Sequence, residues 1–278
     1  MSKLETAFSK ALKERESAIN REVLDGTAAK LDPANAADLA TPPTRNQLVT
    51  ARYQIKNIAC TKKLTESELA NKRLIYPKMK DSKLLNVYRN LRTKLLSASS
   101  QGNFVTMVTS VVSGGGSSLI SANLAAAFAF DEGKTALLLE GNVHSHSLGQ
   151  IFDLPDDTTG ILDFLETDSL EVSGILHETG IPRLRVIPSG RNEESAAEFF
   201  SSSKMRSMLK EIKSRYPERY PIIDAPSIKE SADARIIMDL CDHVILVIPY
   251  GLCTDDDIKS AVQSIGREKL TGVVLNEF

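Results

Sequence analysis

The sequence predicts an α/β fold, in which helices cover both faces of a doubly wound, mostly parallel sheet. Short runs rich in Val, Ile and Leu recur between residues 104 and 275, and a helical pattern separates each run from the next. The runs are apolar almost throughout, which is typical of strands buried on both faces. This alternation predicts β-α-β units with right-handed crossovers.

The elements follow one another in a regular order from residue 75 onward. The runs FVTMVT, TALLL, LRVI, YPII, HVILVI and TGVVL predict strands at 104–109, 135–139, 184–187, 220–223, 243–248 and 271–275. Helices are predicted at 81–98, 118–131, 159–166, 204–215, 231–240 and 255–266. We therefore assign residues 75–278 to one domain built around the sheet.

The first 74 residues have a different character. Residues 1–24 predict an amphipathic helix, because a narrow apolar stripe runs along a charged segment. The stripe consists of Leu4, Phe8, Leu12, Ile19 and Val23. Such a helix either docks on the protein's own surface or binds a partner or a membrane. Residues 25–74 are rich in Ala, Thr, Asn, Pro and Lys without periodicity, so we expect a linker or a loosely ordered arm.

Composition excludes several classes of function. The 278 residues carry 34 Lys and Arg against 36 Asp and Glu, and with this net charge of −2 we expect no nucleic-acid partner. The charged start differs from a signal peptide and no run of 18 apolar residues is present, which predicts a cytoplasmic protein. Cys60, Cys241 and Cys253 lack metal-binding spacing and are odd in number, so we expect reduced thiols.

A glycine-rich loop follows the first predicted strand. Residues 113–118 read SGGGSS and lead into a helix, so backbone N–H groups and the helix dipole would favour a phosphate there. Three consecutive glycines allow the backbone to approach an anion closely. In doubly wound sheets the first strand-loop-helix unit is the usual phosphate site. We therefore predict an anion-binding turn at 113–118.

Several motifs stand in a fixed order around this loop. The run TSVVSGGGSSLISANLAAAFA is followed by GILDFL at 160–165, IPSG at 187–190 and IIDAP at 222–226. Together they resemble the bacterial tyrosine autokinases of capsule and exopolysaccharide synthesis, and RYPER at 215–219 is similar to the cytoplasmic autokinases of exosortase-linked loci. The resemblance covers roughly residues 75–278 and implies a sheet of the P-loop NTPase type, with ATP and Mg²⁺ as cofactors. The implied nucleotide-binding residues are Gly114, Gly115, Gly116, Ser117, Ser118 and Asn276, and the implied Mg²⁺ ligands are Ser118 and Asp224.

The catalytic positions depart from the pattern of that family. The P-loop lysine falls on Ser117, whose hydroxyl cannot supply a positive charge to the phosphates. The Asp-x-Asp after the second strand is replaced by Glu140 and Asn142, so one carboxylate is lost and the other is one methylene longer. Tyr250 is the last tyrosine and closes a strand predicted to be buried, so we expect no tyrosine-rich substrate tail. These departures predict that binding of ATP and Mg²⁺ is weak or lost.

The helix that serves ring assembly in the family is also altered. Its acidic residue falls on Asn86, whereas Arg89 and Arg92 are kept. The family's contact joins opposite charges across subunits, so the loss of the acid weakens self-assembly. We expect the isolated chain to be a monomer or a weak dimer, with both arginines available to a partner's carboxylate.

Resemblance and departures together predict a pseudokinase-like regulatory or scaffolding component of exopolysaccharide or capsule synthesis and export. The implied partners are a membrane-bound chain-length determinant and an active kinase paralogue, at the inner face of the plasma membrane. The alternative is an active autokinase or ATPase in which Lys134 or a neighbouring subunit supplies the missing charge. The partition and septum-placement ATPases are less similar, because Val111 and Val112 occupy the region of their additional lysine.

Overall fold

The computed structural model describes residues 60–61, 63–99, 102–190 and 196–277. Its strands are β1 (Thr106–Ser110), β2 (Thr135–Glu140), β3 (His177–Glu178), β4 (Leu184–Ile187), β5 (Arg219–Asp224), β6 (His243–Pro249) and β7 (Leu270–Asn276). They form one sheet in the order β3-β4-β2-β5-β1-β6-β7, in which only β3 and β4 pair antiparallel. The predicted doubly wound, mostly parallel sheet is confirmed.

Helices lie on both faces of this sheet. They are α1 (Glu66–Asn71), α2 (Ser82–Ala98), α3 (Ser117–Ala129), α4 (Ser147–Phe152), α5 (Ile161–Glu166), α6 (Ala196–Ser201), α7 (Ser203–Arg215), α8 (Ala232–Asp239) and α9 (Asp255–Ile265). Every strand and helix predicted between residues 81 and 275 is present, whereas β3, α1, α4 and α6 have no counterpart in the sequence prediction. Within the described ranges, no helix has the length and apolarity needed to cross a membrane.

Two apolar clusters, one on each face of the sheet, form the core. Leu137 and Leu139 of β2 belong to the cluster under α5 to α9, whereas Ala136 and Leu138 belong to the cluster under α1 to α4. Successive residues of a strand point to opposite faces. Burial on both faces therefore explains why the strand runs are apolar almost throughout.

An ordered segment precedes the predicted domain boundary at residue 75. Helix α1 begins with a reciprocal capping box between Thr65 and Glu68, and Leu74 is buried in the core. The structure thus places residues 65–74 within the domain, where we predicted the end of a linker. The amphipathic helix predicted at 1–24 and the first part of the arm, at 25–59, lie outside the described residues.

The residues just before this segment contact the edge of the sheet at β3. The backbone N–H of Thr61 donates to the carboxylate of Glu178 at 2.8 Å, and that of Leu64 donates to the carbonyl of Gly180 at 3.0 Å. Farther along, the side-chain oxygen of Asn123 in α3 accepts the N–H of Ile75 at 2.7 Å. These contacts attach the segment to the edge strand first and to a buried helix second.

Two side chains differ from the sequence-based expectation. Arg92 donates to the carbonyl of Ala127 at 2.7 Å and is half-buried against α3, whereas we expected its side chain to be available to a partner. Arg89, one helical turn earlier, is exposed. Tyr250 is 68% exposed because β6 ends at Pro249, one residue before it. The prediction that Tyr250 closes a buried strand is therefore wrong.

Candidate functional site

The glycine-rich loop connects β1 to α3 at the carboxyl edge of the sheet. Residues 111–116 form the turn, and α3 begins at Ser117. The backbone is left-handed at Gly114 and Gly116, with φ of 72° and 85°, a conformation that glycine adopts without strain. Among the described residues, no side chain caps the N-terminus of α3, so its first N–H groups face the loop without a side-chain acceptor. The predicted turn is present, and Ser117 and Ser118 belong to the first turn of the helix.

Asp224 ends β5 and is completely buried next to β1. Neither of its carboxylate oxygens has a hydrogen-bond partner among the described residues. Burial raises the pKa of Asp224 to about 7; the nearby hydroxyls of Ser118 and Ser117 oppose the shift without completing a hydrogen bond, and the charge of Glu140 adds to it. A buried carboxylate without a donor is costly, and a cation beside it would offset that cost.

Glu140 ends β2 and has both carboxylate oxygens engaged by the backbone. One oxygen accepts the N–H of Leu148 at 2.8 Å, and the other accepts the N–H of Ser189 at 3.0 Å. The residue is 1% exposed. Leu148 lies in α4 and Ser189 follows β4, so the carboxylate joins the two loops that leave these neighbouring strands.

The other predicted residues lie at the same edge of the sheet. Asn142 is two residues beyond β2, in a turn where its carbonyl accepts the N–H of Ser145 at 3.2 Å. Asn276 ends β7, and its side-chain amide donates to the carbonyl of Gly115 at 3.1 Å. A Cβ at Gly116 would also meet this flexible amide, but the left-handed backbone is the stronger reason for a glycine there. The structure thus brings the loop and the ends of β2, β5 and β7 together, with Asn276 supporting the loop backbone.

The positions of two charged residues, Lys134 and Glu230, differ from what the sequence suggested about the charges near the loop. Lys134 pairs with Asp131 at 2.8 Å just before β2, at the amino edge of the sheet. It is therefore separated from the loop by the length of a strand, roughly 17–20 Å. Sequence reasoning missed Glu230, whose carboxylate accepts the backbone N–H of Ser113 at 3.0 Å. The sequence offers no spacing signal for that contact, because it joins two segments 117 residues apart.

The residues at this edge fit the implied Mg²⁺ better than they fit the implied triphosphate. Ser118 and Asp224 would hold the cation, because the buried carboxylate lacks a donor and oxygen ligands suit Mg²⁺. When bound, the metal would neutralise charge on the phosphates. The N–H groups of the loop would hold phosphate oxygens, without the lysine that usually adds a positive charge. Across the described residues, no group of three or more His, Cys, Asp and Glu side chains forms a separate metal centre.

Known relatives of this chain are tyrosine-protein kinases. Tyrosine-protein kinase CpsD of Streptococcus pneumoniae serotype 4 is 31% identical over 213 residues, which cover 76% of this chain and 90% of the relative. Tyrosine-protein kinase YwqD of Bacillus subtilis is 30% identical over 204 residues, covering 71% of this chain and 84% of the relative. No family model matches the chain.

Solved structures with the same architecture extend this likeness. The chimerical protein CapA2B2 superposes with a TM-score of 0.66 at 25% identity, covering 82% of this chain and 97% of the chimera. The kinase domain of the Escherichia coli tyrosine kinase ETK has a TM-score of 0.64 at 20% identity, covering 78% and 87% of the two chains. The cell division ATPase MinD of Pyrococcus furiosus has a TM-score of 0.52 at 21% identity, covering 63% and 72%. The last two likenesses show the fold alone, which is of the P-loop NTPase type.

Proposed function

This chain belongs to the family of bacterial tyrosine-protein kinases of capsule and exopolysaccharide synthesis, and from that membership we propose that it is a regulatory or scaffolding component that does not transfer phosphate. Its partner in this proposal is a membrane-bound chain-length determinant of polysaccharide synthesis. An active kinase paralogue is a second partner. The protein would then work peripherally at the inner face of the plasma membrane.

The observation that carries the proposal is the engagement of Glu140. In the family, the carboxylates after the second strand are expected to activate the attacking hydroxyl, and here the only carboxylate of that pair holds two backbone N–H groups. A general base must reach the proton that it removes, and this carboxylate is buried between two loops. Asn142 stands at the position of the second carboxylate, and its side-chain amide cannot act as a base.

The missing lysine supports the same proposal. Ser117 brings a hydroxyl to the position from which a lysine would neutralise the phosphates, and a charge-assisted contact is worth about 1.5–3 kcal/mol. Lys134 is held by Asp131 at the other edge of the sheet, so it does not replace that charge. We expect ATP to bind more weakly than about 100 μM, which corresponds to roughly −5.5 kcal/mol.

The second candidate function is an ATPase or autokinase that takes its positive charge from a neighbouring subunit. The unpartnered carboxylate of Asp224 favours it, because a cation site of this kind would serve bound nucleotide. The two candidates differ in their chemistry, since only the second one consumes ATP.

Incubation of the purified chain with radiolabelled ATP and Mg²⁺ separates the two candidates. We expect neither release of phosphate nor labelled tyrosine, and we expect Ser117→Lys to tighten ATP binding at least tenfold in calorimetry. Turnover of ATP by the wild-type chain alone would refute the proposal. Turnover in a mixture with the active paralogue would also refute it if Asp224→Asn in this chain abolished that turnover.

A complementation experiment tests the scaffolding part. In a strain that lacks the chain, Asp224→Asn removes the proposed cation ligand, and it should restore polysaccharide synthesis as well as the wild-type chain does. Loss of polysaccharide with the Asn variant at normal protein levels would support the catalytic alternative.

A further inference from the structure

Glu230 brings a negative charge to the start of the glycine-rich loop. Its carboxylate accepts the N–H of Ser113 at 3.0 Å, and the same oxygen accepts the hydroxyl of Ser227 at 2.9 Å. Hydrogen bonds from Ser113 and Ser227 lower the pKa of Glu230 below its ordinary value. The carboxylate is therefore ionised at neutral pH, and the protein itself supplies an anion to the loop.

The backbone that carries Glu230 is fixed on both sides. Lys229 pairs with Asp257, which also accepts the N–H of Thr254 at 2.9 Å at the start of α9. Ser231 is the N-cap of α8, where its hydroxyl accepts the N–H of Asp233 at 3.1 Å. The side chain of Glu230, in contrast, is exposed, so it can leave the loop without disturbing the core.

A carboxylate and a phosphate compete for the same kind of donor at this position. Both anions accept backbone N–H groups at a loop that leads into a helix N-terminus. Two negative charges held close together repel each other, and a lysine that would offset this repulsion is missing at Ser117. From the other side, the amide of Asn276 donates to the carbonyl of Gly115 at 3.1 Å. Glu230 thus occupies a backbone donor of the loop, and Asn276 occupies a backbone acceptor.

We propose that Glu230 sets the phosphate affinity of the loop: its carboxylate occupies the N–H of Ser113, and a polyphosphate binds well only after this side chain has left. The inference rests on the proposed function in one respect, because it treats the loop as the chain's weak nucleotide site. The ligand class is a polyphosphate, with or without a nucleoside. A partner cation that pairs with Glu230 would draw it from the loop and raise this affinity.

Charge-neutral variants of the full chain test the inference. Ser117→Lys provides a background with measurable binding, to which Glu230→Gln, Glu230→Ala or Glu211→Gln is added. Glu211→Gln is the matched control, because Glu211 is an exposed acid of α7 that pairs with Arg215 at 3.1 Å. Affinities for tripolyphosphate and for ATP are measured by calorimetry without Mg²⁺, and amide hydrogen exchange of residues 110–119 is measured without ligand.

We expect both Glu230 variants to bind tripolyphosphate and ATP about three- to tenfold more tightly than the background, and the control to bind unchanged. Exchange in residues 110–119 should accelerate in Glu230→Ala. An affinity of Glu230→Gln equal to or below that of the control would overturn the inference, as would unchanged exchange in Glu230→Ala or absence of binding in all four proteins. Phosphoryl transfer by the wild-type chain would instead overturn the proposed function and leave the effect of Glu230 on affinity measurable.

Discussion

Replacement of the buried Asp224 by Asn should stabilise the fold at pH 8 and leave its stability nearly unchanged at pH 4. Burial in the folded state raises the pKa of this carboxyl from 3.8 to about 7. Between these pH values the unfolded chain loses the proton and the folded chain keeps it, so stability falls as the pH rises. The contribution of protonated Asp224 to the free energy of unfolding is thus fully present below about pH 4 and is lost as the pH rises through 7. Asn has nearly the same shape and does not ionise.

The two pKa values set the size of the effect. A rise from 3.8 to about 7 corresponds to about 4 kcal/mol, at 1.36 kcal/mol for each pKa unit. Protonated Asp and Asn both present donor and acceptor groups in the same buried place, so their polar burial costs are similar. Relaxation around the charge reduces the gain, and we expect at least about 2 kcal/mol at pH 8. For a domain of this size, that gain raises the Tm by roughly 4–8 °C.

Urea denaturation followed by circular dichroism at pH 4, 6 and 8 measures this effect. Asp156→Asn is the matched control, because Asp156 is exposed and the same chemical change should have little effect at any pH. A difference between Asp224→Asn and wild type that does not change with pH, or a less stable variant at pH 8, would refute the reasoning. Added Mg²⁺ should stabilise the wild-type chain at pH 8 and should stabilise Asp224→Asn less.

Three further substitutions test contacts of the fold. Glu140→Gln should lower the free energy of unfolding by about 2–3 kcal/mol in urea denaturation, because one of two backbone N–H donors would then face an amide donor; an unchanged value would show that the charge is dispensable. Asn123→Ala should cost about 3 kcal/mol and accelerate hydrogen exchange at the amide of Ile75, which loses its acceptor, and slow exchange there would contradict this. Arg92→Ala should lower the Tm by several degrees, whereas Arg89→Ala, at an exposed site, should not, and equal effects would contradict the buried contact.

Strands that are buried on both faces could be predicted from the sequence because their pattern is local. A run such as HVILVI marks β6 without knowledge of its neighbours, and the structure extends it only to Pro249. The edge strand β3 has two residues, too few to form a pattern. Helices α1, α4 and α6 have six residues each, and tertiary contacts rather than periodicity determine them.

The candidate site was predictable in its position and unpredictable in its contacts. The motif order located the loop and Asp224 at one edge, where the structure also has Asn276. The partners of Glu140 are 8 and 49 residues away in the sequence, so no spacing rule reveals that both of its oxygens are engaged. The same holds for Glu230, because its contact with Ser113 joins segments that follow two different strands, β5 and β1.

The contacts of Thr61 and Leu64 with the edge of the sheet determine how mechanical tension would enter the domain. A pull on the chain before residue 60 acts first on the hydrogen bonds to Glu178 and Gly180, which lie at β3. If these break, the ion pair of Lys72 with Asp153 and the hydrogen bonds of Asn123 to Arg73 and Ile75 bear the force next. Asn123 lies less than two turns from the start of α3, so sustained tension on the N-terminal arm would reach the glycine-rich loop only after the edge contacts had yielded.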